Sequence, residues 1–286
     1  MEPVLVGATI SSLECRRPDL RFPLPENFVK RVQGYRIVSL GRRAKYLVAE
    51  IETGEALVMH LGMSGRFSIE MANDKAASSQ KIAEAAFVHA TGTDPAHDHV
   101  IFSTDRGDTV TYNDPRRFGY MVMVEKHERE SHKVFAGLGP EPLGNTFSAQ
   151  HLATVAVGRK TDMKAFLLDQ RNVAGLGNIY VCEALNRSGI SPQRRAQSLA
   201  KKNGQPTDRT ERLARAIKDV LAEAIAAGGS TLRDYAHTDG SLGYFQHAFK
   251  AYGREGEACK TPNCTGTIRR IVQAGRSTFY CGRCQR

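Results

Sequence analysis

The chain closes with CKTPNC at residues 259–264 and FYCGRC at residues 279–284, and these two segments decide how its last part folds. Their four cysteines have the spacing C-x4-C-x16-C-x2-C. Two close pairs let two tight turns present four thiolates in a tetrahedron, as Zn²⁺ prefers. So short a segment buries too little apolar surface to fold alone, so the metal would supply folding free energy. We predict a zinc ribbon with one structural zinc and these ligands: Cys259, Cys264, Cys281 and Cys284.

Disulfide bonds are the alternative use of these four cysteines, and a reducing compartment disfavours them. Two further cysteines, Cys15 and Cys182, stand alone and are expected to be reduced core residues. Three arginines, Arg269, Arg270 and Arg276, lie between the cysteine pairs. On a rigid hairpin they would either reach nucleic-acid phosphates or form a solvated basic face.

Residues 1–125 alternate apolar and polar positions, as half-buried antiparallel strands do. The alternation runs through KYLVAEIE at 45–52 and EALVMHLGMSGRFSIE at 55–70. HVIFSTDRGDTVTYND at 99–114 predicts two strands and a turn in which Gly107 adopts positive φ. This half is therefore predicted to be a β-sandwich or barrel.

Three other segments complete the outline. The opening MEPVLVGATI predicts a strand over residues 4–6, and residues 71–96 lack strand periodicity and are predicted to be an inserted loop. Residues 126–147 contain GLGPEPLG and are predicted to connect two domains.

A helix is predicted over residues 208–227, because apolar side chains recur there at helical spacing. Asp208 and Glu211 resemble a capping box, and Gly228 and Gly229 predict the helix end. The predicted apolar face consists of Leu213, Ile217, Val220, Leu221, Ala224 and Ile225.

The charge of the chain is unevenly distributed. Residues 1–150 carry 18 Lys and Arg against 19 Asp and Glu, whereas residues 151–286 carry 22 against 11. The net charge of +10 therefore lies in the second half and indicates a polyanionic partner, with nucleic acid the first candidate. No apolar run is long enough to span a membrane, and no signal peptide precedes the fold, so a cytoplasmic location is expected.

Nine short motifs occur in order along nearly the whole chain. They are RRAKYL (42–47), HLGMSG (60–65), HDHV (97–100), DPRRFG (114–119), LGPEPL (138–143), GRKTDMK (158–164), GLGNIYVCEAL (175–185), GGSTLRDY (228–235) and GREGEAC with RSTFYCGRCQ (253–285). Each motif alone is weak, but in this order they resemble the motifs of the bacterial formamidopyrimidine-DNA glycosylase family (Fpg, MutM).

This resemblance implies an α+β multidomain fold. It places an N-terminal β-sandwich at residues 1–125, a linker at 126–147, a helix-two-turn-helix domain at 148–249 and the zinc ribbon at 250–286. It also implies a monomeric, nucleoid-associated enzyme that acts on double-stranded DNA containing oxidised purines or abasic sites. Such an enzyme excises 8-oxoguanine and formamidopyrimidines and cleaves the abasic strand by β,δ-elimination.

A base inside a duplex must be flipped out before an enzyme can act on it, and the gap that it leaves must be filled. The resemblance assigns the gap-filling role to Met63, Arg116 and Phe118. Taken alone, these residues are also consistent with a core methionine, a salt-bridged turn and an aromatic cap on the sandwich. The same set favours the 8-oxoguanine branch over the related endonuclease VIII branch.

The resemblance implies phosphate binding by Asn178, basic contacts from Lys160 and Lys164, and another DNA contact at His97. In GLGN at 175–178, glycines permit close backbone approach and the helix N-terminus offers amides to a phosphate, although a purely structural turn is the alternative. 

The resemblance also assigns residues to the elimination steps. It gives Lys45 and Arg276 phosphate contacts at the lesion. The segments GGSTLRDY at 228–235 and DGSLGYF at 239–245 would cover the flipped base.

One departure concerns the nucleophile. Family members use the amine of an N-terminal proline, with a glutamate next to it as acid/base, whereas MEPVLVGATI matches a point inside the family pattern. Glu2 and Pro3 are therefore not the catalytic pair. Three explanations are open: a longer natural product, a non-catalytic damaged-DNA-binding relative, or imine formation by the amine of Met1 or of Lys45. An RNA-associated zinc-ribbon protein is a further alternative.

Overall fold

A computed structural model describes residues 1–72, 94–229 and 244–286. These residues form two compact units, which divide between Ala136 and Gly137. Within the described ranges, no helix is long and apolar enough to cross a membrane. The predicted inserted loop and the two segments predicted to cover a flipped base lie largely outside the described residues. The finer domain boundaries predicted from the sequence stay predictions.

The first unit is built mainly from strands. Two short 3₁₀ helices, at Pro95–His97 and Lys126–Glu128, accompany them. Its strands and helices are α1 (Glu2–Leu5), β1 (Ile10–Cys15), α2 (Phe28–Val32), β2 (Ile37–Arg43), β3 (Tyr46–Ile51), β4 (Glu55–His60), β5 (Arg66–Glu70), β6 (Asp98–Thr104), β7 (Thr109–Asn113) and β8 (Tyr120–Glu125).

The eight strands form two antiparallel sheets, ordered β1-β6-β7-β5 and β2-β3-β4-β8. One buried apolar cluster draws side chains from both sheets, which confirms the predicted sandwich. Because side chains alternate across a strand, Leu57 and Met59 of β4 join this core, while Ala56 and Val58 face the other way. The predicted turn between β6 and β7 is also confirmed, with Gly107 at φ +84°.

The second sheet is covered on its outer face as well. Val58 and Val124 pack there against Val134, so the first part of the predicted connection is part of the sandwich. The ring of Phe135 stands edge-on to that of Tyr46, with centroids 5.8 Å apart.

The strand predicted over residues 4–6 is wrong, because the opening residues form α1. The amides of Val4 and Leu5 donate to the carbonyl of Met1 at 3.1 and 3.0 Å. Pro3 favours this turn, since its fixed φ suits the start of a helix and its missing N–H has no partner there. The apolar run that suggested a strand instead reflects burial of Val4 and Leu5 in the sandwich core.

The second unit joins helices to a C-terminal hairpin. It also contains 3₁₀ helices at Ala196–Leu199 and Phe245–Ala248. Its other elements are α3 (Ala149–Ala156), α4 (Met163–Leu168), α5 (Asn178–Ser188), α6 (Asp208–Ala226), β9 (Ile268–Gln273) and β10 (Arg276–Cys281).

The helix predicted over residues 208–227 is confirmed as α6, but its predicted cap is wrong by one position. Thr207 is the N-cap residue, and its hydroxyl accepts a hydrogen bond from the Thr210 amide at 3.4 Å. The hydrogen bonding is reciprocal, because the Thr210 hydroxyl accepts a hydrogen bond from the Thr207 amide at 3.3 Å. Asp208 is already helical, so it cannot form the predicted box with Glu211.

The apolar face of α6 also follows the prediction, with one exception. Leu213, Ile217, Val220 and Ala224 are buried in the helical core. Ile225, however, is 67% exposed.

Strands β9 and β10 are joined by a two-residue turn of Ala274 and Gly275, both at positive φ. Positive φ at both positions is the type I′ geometry that matches the twist of a hairpin. Helix α5 packs on β10, so the hairpin and the helices belong to one compact unit.

Glu183 of α5 fixes the chain that leads into the hairpin. Its side chain is fully buried, and its carboxylate accepts hydrogen bonds from the amides of Lys250, Ala251 and Tyr252 at 2.8–2.9 Å. A buried carboxylate is tolerated only where such bonds replace its hydration. Residues 250–252 are therefore held against the middle of α5.

We expect Glu183→Gln to lower the free energy of unfolding by about 3 kcal/mol, because one amide oxygen cannot serve three backbone donors. Urea denaturation followed by circular dichroism measures the change. The control is Glu255→Gln, which removes an exposed ion pair with Arg270 at 3.6 Å and should cost about 1 kcal/mol or less. Equal losses in the two variants would contradict the role given to Glu183.

Candidate nucleic-acid interface and zinc site

Met63 lies on a tight turn, residues 61–65, between β4 and β5, and 64% of its side chain is exposed. It is therefore not the core residue that the sequence alone allowed. The turn requires Gly62, because its φ is +68° and a Cβ atom there would lie 2.5 Å from the backbone of Phe118.

The loop that follows β7 lies against this turn. Phe118 is 43% exposed, and the guanidinium of Arg116 stacks over its ring at 4.8 Å. The structure thus supports neither a buried aromatic cap at Phe118 nor an ion pair of Arg116 among the described residues. Arg117 does have an acidic partner, Asp19, at 3.7 Å.

Asp114 ties the two loops together. Its fully buried carboxylate accepts hydrogen bonds from the Ser64 hydroxyl at 2.6 Å, the Gly119 amide at 2.9 Å and the Tyr112 hydroxyl at 3.1 Å. Ser64 in turn accepts the amide of Arg116 at 3.3 Å. Burial, and then the Asp114 charge, raise the pKa of Tyr112 well above its usual value, so this phenol stays a donor.

Sequence reasoning missed Asp114, although the sequence contained a signal for it. Tyr112 and Asp114 are two residues apart at the end of a strand, so they share a face. A tyrosine buried on that face predicts that the carboxylate two positions later is buried as well.

His97 lies beside the Asp114 loop, since its carbonyl accepts the Asp114 amide at 3.0 Å. Its imidazole is 3.9 Å from the carboxylate of Asp94 and is partly exposed.

Lys45 is an exposed residue in the turn between β2 and β3, next to the residue pair Tyr46–His60. Burial is the main reason why the pKa of His60 falls to about 4, and the charges of Lys45 and Arg21 lower it further. The neutral ring accepts the Gly62 amide at 2.9 Å and so supports the Met63 turn. 

The first unit therefore brings five predicted site residues to one set of adjoining loops: Lys45, Met63, His97, Arg116 and Phe118.

In the second unit, three predicted site residues belong to strand β10 or contact it: Arg276, Asn178 and Lys164. The Asn178 side chain donates to the Ser277 carbonyl at 3.0 Å, at the point where α5 begins. Arg276 opens β10 directly after the hairpin turn, and its side chain is exposed. 

Lys160 is also exposed and lines a cavity of about 480 Å³ with Arg159, Thr161, Asp169 and Arg171. The cavity wall therefore offers three cations and one carboxylate. That charge balance suits an anion such as a phosphate.

Lys164 is fully buried, unlike the exposed phosphate contact expected from the sequence. Its ammonium donates to the Ser277 carbonyl at 3.1 Å, the Thr278 hydroxyl at 2.5 Å and the Arg276 carbonyl at 3.4 Å. Burial, and to a lesser extent Arg276, lower its pKa. In this structure Lys164 positions the backbone that carries Arg276, and a direct contact with DNA stays a prediction.

The four C-terminal cysteines form the predicted cluster, with all four sulfur atoms within 4.8 Å of one another. The Cys259–Cys284 and Cys264–Cys281 sulfur distances are both 3.7 Å. A tetrahedral ion with Zn–S bonds of about 2.3 Å requires sulfur atoms about 3.8 Å apart, so the cluster fits zinc. Two amides at the first cysteine pair point at its sulfur atoms: Thr261 at Cys259 (3.5 Å) and Gly266 at Cys264 (3.4 Å).

We expect Asp114→Asn to destabilise the fold by about 2–3 kcal/mol, since the amide NH₂ would face hydrogen-bond donors in a buried site. Urea denaturation measures this, and limited proteolysis reports whether the Met63 and Phe118 loops become accessible. Asp219→Asn, an exposed aspartate of α6, is the matched control and should have no effect. Unchanged stability and loop protection in Asp114→Asn would exclude the tying role.

One zinc per chain is expected by elemental analysis after dialysis, and Cys264→Ala should lose it because a structural site needs all four ligands. Cys15→Ala should retain the metal, since Cys15 lies outside the cluster. The alternative is that the four cysteines form two disulfide bonds. In that case mass spectrometry without reduction would give a mass lower by the hydrogens lost in forming both disulfides, and elemental analysis would find no zinc.

Comparisons with known proteins agree with both units. Three family models match the chain: the formamidopyrimidine-DNA glycosylase N-terminal domain at residues 1–121, the H2TH domain of the same family at 138–236, and the zinc finger found in FPG and IleRS at 256–286.

The similarity to individual relatives extends over nearly the full length of this chain. The chain is 57% identical over 284 residues to a formamidopyrimidine-DNA glycosylase of Azorhizobium caulinodans, covering 99% of this chain and 95% of that protein. It resembles the MutM (Fpg) structure from Thermus thermophilus with a TM-score of 0.79 and 35% identity, covering 99% and 93% of the two chains. A Lactococcus lactis Fpg mutant in complex with Fapy-dG containing DNA gives a TM-score of 0.81 at 29% identity, covering 100% and 95%. With these matches over both units and the hairpin, the chain belongs to the formamidopyrimidine-DNA glycosylase family.

Proposed function

We propose that this protein is a base-excision repair enzyme that removes oxidised purines, including 8-oxoguanine and formamidopyrimidines, from double-stranded DNA and then cleaves the abasic strand. Family membership over the whole chain supports the reaction class. The observation that carries the proposal is the pair of loops tied by Asp114, which expose Met63 and Phe118 although both are large and apolar. Its relatives are bacterial, and we place its action on nucleoid DNA.

The tied loops suit the gap that base flipping leaves. Extruding a base costs a few kcal/mol, and part of that cost is recovered when a side chain fills the vacated stack. Met63 and Phe118 lose unfavourable contact with water on entering the stack, and Arg116 stacks on Phe118 and offers donors to the unpaired partner base. We assign Met63, Arg116 and Phe118 to this role.

Phosphate binding falls to the basic residues and the start of α5. Amides at the helix N-terminus, with Asn178 as its first residue, favour an anion there. Lys160 and Arg276 add exposed positive charge in the same unit, and the partly exposed His97 is assigned a further DNA contact in the first unit.

The chemistry needs an amine that attacks C1′ of the damaged nucleotide and displaces the base. The resulting imine withdraws electrons, so that a proton leaves C2′ and the 3′ phosphate departs, followed by the 5′ phosphate. In the family the amine is that of an N-terminal proline. We assign Lys45 and Arg276 to the departing phosphates, whose negative charge they would stabilise.

Borohydride trapping tests this function. The assay compares this chain with the same chain preceded by a Met-Pro-Glu-Leu-Pro-Glu-Val-Glu segment, so that one polypeptide carries the proline–glutamate pair that the family uses. We expect a covalent adduct between the extended chain and an 8-oxoguanine duplex, seen as a shifted band on a denaturing gel, and none with the undamaged duplex.

The outcomes separate the alternatives. Binding of the lesion duplex by both polypeptides, with no adduct from either, would favour a non-catalytic damaged-DNA-binding protein. Stronger binding to single-stranded RNA than to the lesion duplex in competition would favour the RNA-associated alternative.

A further inference from the structure

A basic cleft in the second unit has no role in the function proposed above. It encloses about 880 Å³ between residues 157–158, 191–202 and 285–286. None of the residues that line it carries a carboxylate side chain. Its cationic side chains are Arg194, Arg195, Lys201, Lys202 and Arg286.

These charges are not neutralised by neighbouring side chains. Arg194 donates to a main-chain oxygen of Arg286, the last residue of this chain, at 2.9 Å, and the carboxylate there offsets one positive charge. Across residues 1–72, 94–229 and 244–286, none of the other four cations forms an ion pair with an acidic side chain. Burial, and then the nearby guanidinium groups of Arg194 and Arg212, lower the pKa of Arg209. Crowding of like charges opposes folding, so a cluster of this kind is typical of a surface that meets an anion.

The character of the walls indicates the class of anion. Ten of the thirteen residues that line this cleft are basic or polar, whereas the residues that line pockets for small molecules are mostly hydrophobic or aromatic. Protein interfaces need buried aromatic or apolar anchors, and Val157 is the one large apolar side chain among the lining residues that is strongly exposed. A chain of phosphates therefore fits the cleft better than a metabolite or an acidic protein does.

The cleft also continues the surface around Lys160. The amide of Ala196 donates to the Thr161 carbonyl at 2.9 Å, and the amide of Gln197 donates to the Arg159 carbonyl at 3.0 Å. The Arg195 guanidinium donates to the Lys160 carbonyl. The cleft wall is thus bonded directly to a segment that we assign to phosphate binding.

We propose that this cleft binds backbone phosphates of duplex DNA that flanks the lesion, as a binding site additional to the residues at the damaged nucleotide. The inference rests on the proposed function, because the ligand is a further part of the same DNA. The site would add affinity without sequence preference, since it contacts phosphates alone.

The test removes two exposed cleft charges with Lys201→Gln/Lys202→Gln and measures binding to two 8-oxoguanine duplexes at several salt concentrations. One duplex extends about 5 bp on each side of the lesion and the other about 20 bp, that is, half a helical turn and two turns. We expect affinity for the long duplex to fall about tenfold and its log–log salt slope to fall by about 1.8, the value for two lost phosphate contacts. Binding to the short duplex should not change.

The control is Lys126→Gln/Lys133→Gln, which removes the same charge from exposed lysines of the other unit. A loss in this control equal to that of the cleft variant would show a net-charge effect and overturn the proposal. So would an unchanged long-duplex affinity in the cleft variant, or equal losses on both duplexes. Failure of the unmodified protein to prefer either lesion duplex over undamaged DNA would instead contradict the proposed function.

Discussion

A charge removed from water must find hydrogen bonds that replace its hydration, and this constraint shapes every part of the candidate site. Asp114, Lys164 and Glu183 are each fully buried. Each meets the constraint by holding backbone or hydroxyl groups of a second segment, so that burial of one side chain fixes two pieces of chain. Loops and strand ends that have little apolar surface of their own are thereby ordered without a larger core.

The features that sequence predicted well depend on local patterns. Cysteine spacing predicted the zinc ribbon, alternation of apolar and polar residues predicted the sandwich, and helical spacing predicted α6. Each of these patterns follows from the geometry of a single element. The strand predicted at the start is wrong because a three-residue apolar run does not distinguish a strand from a buried helical turn. The N-cap of α6 was predicted one residue too late, at Asp208 and not at Thr207, because both residue types are good N-caps.

The candidate site was predictable in its residues but less so in their roles. The resemblance named Lys164 as a contact for DNA, whereas helical spacing places it three residues before the buried Leu167, on the inner face of α4. Glu183 and Asp114 were not predicted at all. A carboxylate is normally assigned to the surface, and for Glu183 only the tertiary partners show that it is inside. For Asp114 the alternation of β7, which buries Tyr112, was the available signal.

Under the proposed function, the hydrogen bonds that order the Met63 and Phe118 loops bear on how the protein searches DNA for damage. Their ordering entropy is lost once, when the chain folds around Asp114, and not again at each base pair that is tested. A wedge that had to be assembled at every encounter would add a conformational step to each trial and slow the association. Under the proposed function, the buried Asp114 carboxylate thus contributes to the rate of the search through the loops that it orders.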